Sequence, residues 1–433
     1  MSPAPFAGHP LTRVDGALAL GGVPLDRALA GLRTLEPAAR AAYVYDLDAI
    51  VARGVRLRDA FTAIGADAAY AVKANALHAL LEPLAALGLG GEAGSLGELE
   101  AVRAAGFPAE RRWLNGNGRT PEEADWVARL GARAVNADHV AELDLLERAA
   151  AAKDTRIRVA LRVNPGIEAP VHRYVATGDD EAKFGISPAE ALEAWAGRAR
   201  WPHLSVDGVH LHIGSQLMDP APLLAAFDAG LELAEESAKR GAPLGSFNLG
   251  GGFGIDYEGG EREFPLESYA RTLGERARGR GLELVVEPGR WVVASAGVLV
   301  AEVLWVKPRG GRRFVVLAAG MNDLIRPALY QARHRILPVT PRGGAWTAAC
   351  VVGPVCESAD VFAEDVPLPP LEPGDLVAIL DAGAYGAAMS SNYNGRGRLA
   401  ELVVSGGLLV RARAGETPRD LAGRRTRDEI PMS

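Results

Sequence analysis

Eight short apolar runs separated by helical segments dominate residues 69–287 of this chain. The intervening segments are rich in Ala, Leu and Glu and repeat their apolar residues at helical spacing. Parallel strands need long crossover connections, usually helices, so this alternation favours a parallel sheet. Eight such units within about 220 residues are typical of a (β/α)8 barrel. The runs are 69–73, 87–91, 112–115, 132–136, 157–163, 206–213, 246–249 and 282–287.

The pattern changes after residue 290, where β-branched and aromatic runs alternate with Gly and Pro. This change predicts a second, mostly antiparallel β domain. A chain of 433 residues is also too long for one compact core. We therefore predict the α/β class, with a TIM-type (β/α)8 barrel and a C-terminal mostly antiparallel β domain. The predicted parts are an N-terminal segment packing on the β domain (1–42), the barrel (43–290), the β domain (291–415) and a charged tail (416–433).

Local signals add turns and helix starts to this outline. Asp15-Gly16 and Gly21-Gly22 predict the turns of a hairpin in the N-terminal segment. Pro121 and Pro188 stand at first-turn positions of helices, and the segment 136–138 (Asn-Ala-Asp) offers a helix cap.

Composition narrows the classes of partner and compartment. The net charge is −7 without a basic stripe, which argues against a nucleic-acid partner. The two cysteines, Cys350 and Cys356, do not form a disulfide framework and suit a reducing compartment. Neither a signal peptide nor an apolar run of about 18 residues is visible, so we expect a cytoplasmic protein without a membrane partner.

Lys73 lies at the end of the first apolar run, in the sequence AYAVKAN. Burial among apolar residues disfavours the charged form of a lysine, and a neutral amine is a nucleophile. Lysine nucleophiles commonly form Schiff bases with carbonyl groups, including that of pyridoxal 5'-phosphate (PLP). The alternative is a lysine whose amine simply reaches the surface from a strand end.

Other polar residues also follow predicted strands. Functional residues of such barrels lie at the carboxyl ends of the strands, so we expect these side chains to share one rim. They are Lys73, Asn115, Asn117, Arg162, Asn164, His210, His212, Gly250, Gly251, Gly252 and Glu287.

Two of these features suit a phosphorylated cofactor. The triplet Gly250–Gly252, with Gly254 nearby, lets backbone N–H groups face a phosphate, although a glycine run can also be a plain turn. Glu287 ends the eighth apolar run and can pair with a protonated pyridine nitrogen. The alternative for Glu287 is an ordinary turn at a strand end.

His210 and His212 are two residues apart, which predicts that they share one face of the sixth strand. Two such histidines can bind a metal, but no acidic or sulfur partner stands at suitable spacing, so we predict no metal. A histidine lying flat on a PLP ring is the preferred interpretation. Buried core histidines remain the alternative.

Six residues of the predicted β-domain part and its border complete the candidates. Cys356 and Glu357 form a thiol–carboxylate pair that can donate a proton and receive an ammonium group; a structural cysteine is the default alternative. Arg290 and Arg326 are candidate forks for a carboxylate. The remaining hydroxyl donors are Tyr330 and Tyr385. For each of these two arginines and two tyrosines the alternative is an ordinary surface residue.

Eight motifs, in this order and at these separations, resemble the diaminopimelate decarboxylase family over roughly Tyr43 to Ser405. They are AVKAN (71–75), KFGI (183–186), HLHIGSQ (210–216), NLGGGFGI (248–255), EPGR (287–290), RPALY (326–330), GPVCES (353–358) and DAGAYG (381–386). The resemblance implies a fold-type III PLP enzyme with an alanine racemase-like barrel. It also implies decarboxylation of meso-2,6-diaminopimelate to L-lysine and CO2.

The resemblance assigns roles residue by residue. It implies that Lys73 carries PLP as a Schiff base, that His212 stacks on the ring and that Glu287 pairs with the pyridine nitrogen. The phosphate and its surroundings would involve Ser215, Gly251, Gly252, Pro288, Gly289, Arg290 and Tyr385. Substrate would be bound by Arg290, Arg326, Tyr330, Glu357 and Tyr385. Cys356 would protonate the product, and Cys356 and Glu357 would act across a homodimer interface.

The sequence departs from the family pattern at residues 91–98 and at Arg333, where an aromatic residue is usual. Four rival functions are compatible with parts of this pattern. Decarboxylation of another basic amino acid, or of carboxynorspermidine, would use the same chemistry. A racemase would need a second acid/base facing Lys73, a non-catalytic PLP carrier would not need residues 290–433, and a sugar- or phosphate-processing barrel would lack PLP.

Overall fold

The computed structural model describes residues 10–166, 183–259 and 262–423. In these ranges the strands, numbered in chain order, are β1 (Leu11–Val14), β2 (Ala17–Leu20), β3 (Val23–Pro24), β4 (Ala41–Asp46), β5 (Asp67–Ala71), β6 (Gly90–Ala93), β7 (Arg112–Leu114), β8 (Ala134–Ala137), β9 (Ile157–Arg162), β10 (Leu204–His210), β11 (Ser246–Asn248), β12 (Glu283–Val286), β13 (Gly297–Arg309), β14 (Arg312–Leu317), β15 (Ile336–Pro338), β16 (Thr347–Val352), β17 (Val361–Leu368), β18 (Leu376–Ile379), β19 (Ala400–Ser405) and β20 (Leu408–Arg413).

The α-helices of the same ranges are α1 (Leu25–Leu35), α2 (Leu47–Thr62), α3 (His78–Ala86), α4 (Leu96–Ala104), α5 (Pro121–Leu130), α6 (Ala141–Ala152), α7 (Pro188–Ala196), α8 (Ala221–Lys239), α9 (Leu266–Ala277), α10 (Arg290–Val293), α11 (Arg326–Tyr330) and α12 (Pro418–Gly423). None of the helices in the described ranges has the length and apolar character needed to cross a bilayer.

The eight strands β5–β12 form a closed barrel in which every pair is parallel. The predicted fold class is confirmed, since a separate, mostly antiparallel sheet follows. Each of the eight apolar runs overlaps one barrel strand. Three predicted strand ends are wrong by two or three residues, because β5 ends at Ala71, β6 at Ala93 and β10 at His210; the other five are off by one residue.

Helix starts on the barrel follow the predicted proline positions. Thr120 and Ser187 each form a capping box directly before Pro121 and Pro188, satisfying backbone N–H groups of the first turn. The predicted cap at residues 136–138 is wrong. Asn136 lies inside β8, and α6 begins at Ala141 without a side-chain cap.

The second sheet has the order β17-β16-β14-β13-β4-β19-β20, with β18 pairing both β13 and β15. Most pairs are antiparallel, while β14–β16 and β4–β19 are parallel. Strand β4 lies between β13 and β19 in this second sheet. Residues 43–46 therefore do not belong to the barrel, although the predicted barrel began at residue 43. The reason is a long-range register with residues 297–301 and 400–404, which no local pattern reveals.

The N-terminal segment forms a small sheet, β1–β2–β3, followed by α1. Asp15-Gly16 and Gly21-Gly22 connect its strands, and all four residues have positive φ, as hairpin turns of this length favour. This prediction is confirmed. Leu18 and Leu29 share a buried cluster with Val44, Val300 and Leu402.

The chain divides into two compact units. The first, here called the β unit, contains residues up to Asp48, Tyr257–Gly259 and the chain from Ser295 onwards. The second, called the barrel unit, contains Ala49–Asp256 and the segment that ends at Ala294.

Candidate active site

Lys73 stands at the carboxyl end of the first barrel strand, in a single 3-10 turn formed by Val72–Ala74. Its Nζ lies 3.3 Å from Oε2 of Glu92, which is 1% exposed, whereas the Lys73 side chain is 47% exposed. The prediction that burial alone makes this amine neutral is therefore wrong. The turn buries Val72 and Ala74 and directs Lys73 outward, where a carboxylate partner favours its charged form.

Glu92 is a site residue to which the sequence analysis gave no role. Burial raises its pKa to about 7, and the charges of Glu287 and Glu98 act in the same direction, while the charge and hydrogen bond of Lys73 partly offset them. Its only sequence signal is one acid inside an otherwise small and apolar run. Glu92 therefore changes its protonation state near neutral pH, directly beside the amine of Lys73.

Glu287 follows β12 at the same rim and is surrounded by amide donors. Asn248 Nδ2 donates to its Oε1 at 2.6 Å and Asn136 Nδ2 does so at 3.3 Å. Asn115 Nδ2 donates to Oε2 at 2.9 Å, and His210 Nε2 lies 3.5 Å from the same oxygen. These four residues come from four different barrel strands or strand ends, so closing the barrel is what assembles them.

The donors keep Glu287 ionised although it is only 4% exposed. Burial by itself raises the pKa of this carboxyl, but the nearby His210 ring, the hydrogen bond from Asn248 and the charge of Lys73 outweigh burial and lower it. A carboxylate accepts about four hydrogen bonds, and the three amides take three of them. No Lys or Arg of the described residues forms an ion pair with it. A buried anion arranged in this way fits the protonated nitrogen of a pyridine ring.

The two histidines do not share a strand face, which corrects the prediction. His210 ends β10 and points to Glu287, whereas His212 lies in the following loop, where its Nδ1 accepts the Gly251 N–H at 3.1 Å. Burial and the nearby charges of Lys73 and Arg162 lower the pKa of His212 well below its ordinary value, so this imidazole is neutral. Among the described residues, no group of three His, Cys, Asp or Glu could hold a metal ion.

The glycine triplet packs against the end of β12. A Cβ on Gly251 would lie 2.3 Å from the Glu287 carbonyl oxygen, and Gly252 has φ +105°. Only glycine therefore fits at these two positions. The N–H groups of Gly250 and Gly251 donate to Asn248 Oδ1 and His212 Nδ1, so the triplet also orients two site side chains.

The segment Pro288–Arg290, which follows Glu287 in the chain, packs against the end of the strand that precedes Lys73. The Pro288 carbonyl accepts the Ala71 N–H at 3.3 Å, and a Cβ on Gly289 would meet Ala71 and Ala74. Arg290 is buried, and its Nη2 donates to Ser215 Oγ at 3.0 Å. A hydroxyl and a guanidinium side by side are suitable groups for a phosphate.

The other predicted site residues lie in the β unit. Cys356 and Glu357 are exposed in the loop between β16 and β17, where Asn394 Oδ1 accepts the Cys356 N–H at 3.2 Å. Glu357 Oε1 accepts the Ser358 N–H at 2.8 Å. Asp360 closes this loop, because its two oxygens accept the N–H groups of Met321 and Val355 at 2.6 and 2.7 Å.

Arg326 and Tyr330 begin and end the short helix α11, Arg326 being buried and Tyr330 half-buried. Tyr385 is half-buried and has φ +56°, a conformation that is uncommon for a bulky residue and often occurs at functional sites.

Comparison with known proteins agrees with this geometry. Residues 47–294 match the family model described as "Pyridoxal-dependent decarboxylase, pyridoxal binding domain". A diaminopimelate decarboxylase from Zymomonas mobilis is 37% identical over 416 residues, which cover 95% of this chain and 97% of that protein. The chain belongs to the diaminopimelate decarboxylase family. The Pseudomonas aeruginosa member of the family is 42% identical over 380 residues, covering 88% of this chain and 91% of its own length.

A solved structure extends the similarity to the fold. The crystal structure of the Helicobacter pylori diaminopimelate decarboxylase complexed with L-lysine has a TM-score of 0.85 and 36% identity. The match covers 90% of this chain and 98% of that chain. Membership of the diaminopimelate decarboxylase family, expected from eight short motifs, is thus confirmed over nearly the whole length of the relatives.

Proposed function

We propose that this protein decarboxylates meso-2,6-diaminopimelate to L-lysine and CO2 with PLP as cofactor, as the last step of lysine biosynthesis. The observation that carries the proposal is the shared rim on which Lys73, the glycine triplet and an ionised, buried Glu287 lie. The L-lysine in the crystal structure of the Helicobacter pylori relative is the product expected of this reaction.

In this proposal Lys73 is the attachment point of the cofactor, and Glu92 is the acid/base beside it. Glu287, held by three amides, pairs with the pyridine nitrogen and His212 lies against the ring. Ser215, Arg290 and the loop of Gly251 and Gly252 bind the phosphate. When bound, PLP supplies an electron sink for the pair of electrons left when CO2 departs from the α-carbon.

The substrate-binding residues are proposed from the charges of the substrate. Diaminopimelate has two carboxylates and two ammonium groups, which suit Arg290 and Arg326 as forks and Glu357 as an ammonium partner. Tyr330 and Tyr385 are proposed to add hydroxyl groups, Tyr385 for the phosphate as well as for the substrate. Cys356 is the proposed donor of the proton that replaces CO2 on the α-carbon.

We infer that the active protein is a homodimer in which Cys356 and Glu357 act in the partner's site. Their loop is exposed and adjoins an apolar row on one face of the β-unit sheet. Trp305 is paired with Val316, Val316 with Val352, and Val352 with Val361. Trp305 is 66% exposed and the three valines are half-buried, and an apolar patch that is partly open to solvent is typical of surfaces that associate.

The exposed thiol of Cys356 also suits the reducing cytoplasm, the compartment proposed for the enzyme. The function is tested by incubating the PLP-loaded protein with meso-diaminopimelate, ornithine, lysine and arginine separately. L-Lysine and CO2 should form from meso-diaminopimelate, and the other three should give little product. A preference for ornithine, lysine or arginine would instead support the rival decarboxylases.

A further inference from the structure

Arg326, His334 and Tyr257 form a closely packed group within the β unit. Arg326 Nη1 lies 2.8 Å from His334 Nε2, and its Cζ lies over the Tyr257 ring, 4.6 Å from the ring centroid. The rings of Tyr257 and His334 meet edge to face with centroids 5.3 Å apart. Arg326 and His334 are 5% and 6% exposed. The guanidinium is therefore held at one edge and on one face.

The partners of His334 determine which of its nitrogens carries the proton. Nδ1 lies 2.7 Å from the Leu380 carbonyl oxygen, which can only accept, so Nδ1 must donate. Nε2 faces a guanidinium, which can only donate, so Nε2 must accept. His334 is thus a neutral imidazole with a fixed tautomer. The Nε2 lone pair faces one N–H of Arg326, and the Nδ1 hydrogen bond to the Leu380 carbonyl fixes the ring in this orientation.

We propose that His334 and Tyr257 are positioning residues that orient Arg326 for a carboxylate of the substrate, and so help to select a dicarboxylic substrate. This inference rests on the proposed function. A guanidinium binds a carboxylate best through two parallel N–H donors, which requires a defined plane and rotation. The Tyr257 ring sets the plane and the His334 lone pair sets the rotation.

The neighbouring Arg333, which departs from the family pattern, lies outside this group. Its side chain is 82% exposed and its Nη1 lies 3.4 Å from Glu258 Oε1. Substitution there supplies a matched control, because it removes an arginine beside His334 without touching Arg326. The unusual residue at position 333 is therefore not expected to change how the substrate carboxylate is bound.

The test compares two substitutions of His334 that separate hydrogen bonding from packing. His334→Gln keeps an acceptor for Arg326, whereas His334→Phe keeps a ring of similar size without one. In the PLP-loaded enzyme, His334→Phe should raise KM for meso-diaminopimelate about tenfold with a smaller change in kcat, since the lost contact orients a charged group. His334→Gln and Arg333→Ala should remain closer to wild type. Tyr257→Leu should raise KM more than Tyr257→Phe does.

Equal KM values for His334→Phe and wild type would overturn the proposal. A larger rise in KM for His334→Gln than for His334→Phe would overturn it as well. Crystal structures of wild type and His334→Phe give a readout that does not depend on turnover. The Arg326 guanidinium should leave its place over Tyr257 in the variant, and an unmoved guanidinium would contradict the proposal. Absence of CO2 release by the wild type would refute the proposed function alone, because the crystal structures would still decide the orienting role.

Discussion

Lys73 Nζ and Glu92 Oε2 lie 3.3 Å apart, so the amine at the barrel rim has a buried carboxylate as its partner. The pKa of Glu92 is raised to about 7, chiefly by burial. Below that pH the carboxyl is neutral, and above it the charged pair holds the proton on Lys73. Capture of a carbonyl compound by the amine should therefore change with pH around neutrality.

Glu92→Gln should remove this pH dependence. The glutamine cannot ionise, so Lys73 loses its proton more easily above pH 7, and capture of PLP by the apoenzyme should become faster there. Stopped-flow absorbance between pH 6 and pH 8 measures the rate. Glu92→Asp is the control that retains a carboxylate. An inflection near pH 7 that persists in the Gln variant would assign it to another group.

Asn248 offers a substitution that changes one hydrogen bond at Glu287. Its Nδ2 donates to Glu287 at 2.6 Å, while its Oδ1 accepts the Gly250 N–H at 2.9 Å. Asn248→Asp keeps the acceptor and replaces the donor with a second carboxylate. Two carboxylates at this distance cannot both be ionised, so the pKa of Glu287 should rise.

The expected result is a fall in kcat of at least about tenfold, because a protonated Glu287 no longer stabilises a pyridinium. The measurement is kcat together with the pH dependence of the cofactor absorption band, which should shift in the variant. A variant with wild-type kcat and an unshifted band would show that ionisation of Glu287 is not needed.

Cys356→Ala tests the proposed proton donor. The variant should bind PLP as wild type does and lose most formation of L-lysine, since only the thiol is removed. Cys350→Ala is the matched control: Cys350 is buried in β16, so its truncation should lower thermal stability while leaving kcat nearly unchanged. Unchanged turnover in Cys356→Ala would remove the assignment.

Asp323 gives a prediction about stability in the β unit. Its pKa is raised from 3.8 to about 7, chiefly by burial. The hydrogen bond from the Gly320 N–H and the charge of Arg396 lower the pKa, but by less than burial raises it. A carboxyl whose pKa is raised on folding stabilises the protein fully below its unfolded value, and this contribution is lost as pH rises through about 7.

Compared with Asp323→Asn, wild type should therefore lose free energy of unfolding between pH 4 and pH 8, by up to about 4 kcal/mol for a shift of this size. Urea unfolding of both proteins at several pH values measures the difference. The free energy of unfolding of wild type minus that of Asp323→Asn should fall as pH rises. If this difference stays constant or increases with pH, the assignment is contradicted.

The sequence was sufficient for features that depend on local spacing. Eight alternating runs predicted the barrel, and Pro121 and Pro188 marked two helix starts. The position of polar residues after strands predicted a rim containing Lys73, the glycine triplet and Glu287. These features follow from strand and helix periods and from the rule that parallel strands end at one edge.

The parts that the sequence did not reveal depend on contacts between distant segments. Asn136 looked like a helix cap, yet barrel closure brings its amide to Glu287, 151 residues away. Glu92 gained its role only when β5 and β6 paired. Likewise, no motif links Tyr257 to Arg326. These side-chain contacts depend on strand register and loop packing, which no short stretch of sequence indicates.

All roles proposed for the barrel rim require that Lys73 carries the cofactor. The most direct measurement is reduction of the PLP-loaded protein with borohydride, followed by peptide mass spectrometry. A pyridoxyl phosphate adduct should form on the peptide that contains Lys73, and none should form in Lys73→Ala. An adduct on a different lysine, or an unmodified Lys73 in fully active enzyme, would contradict it.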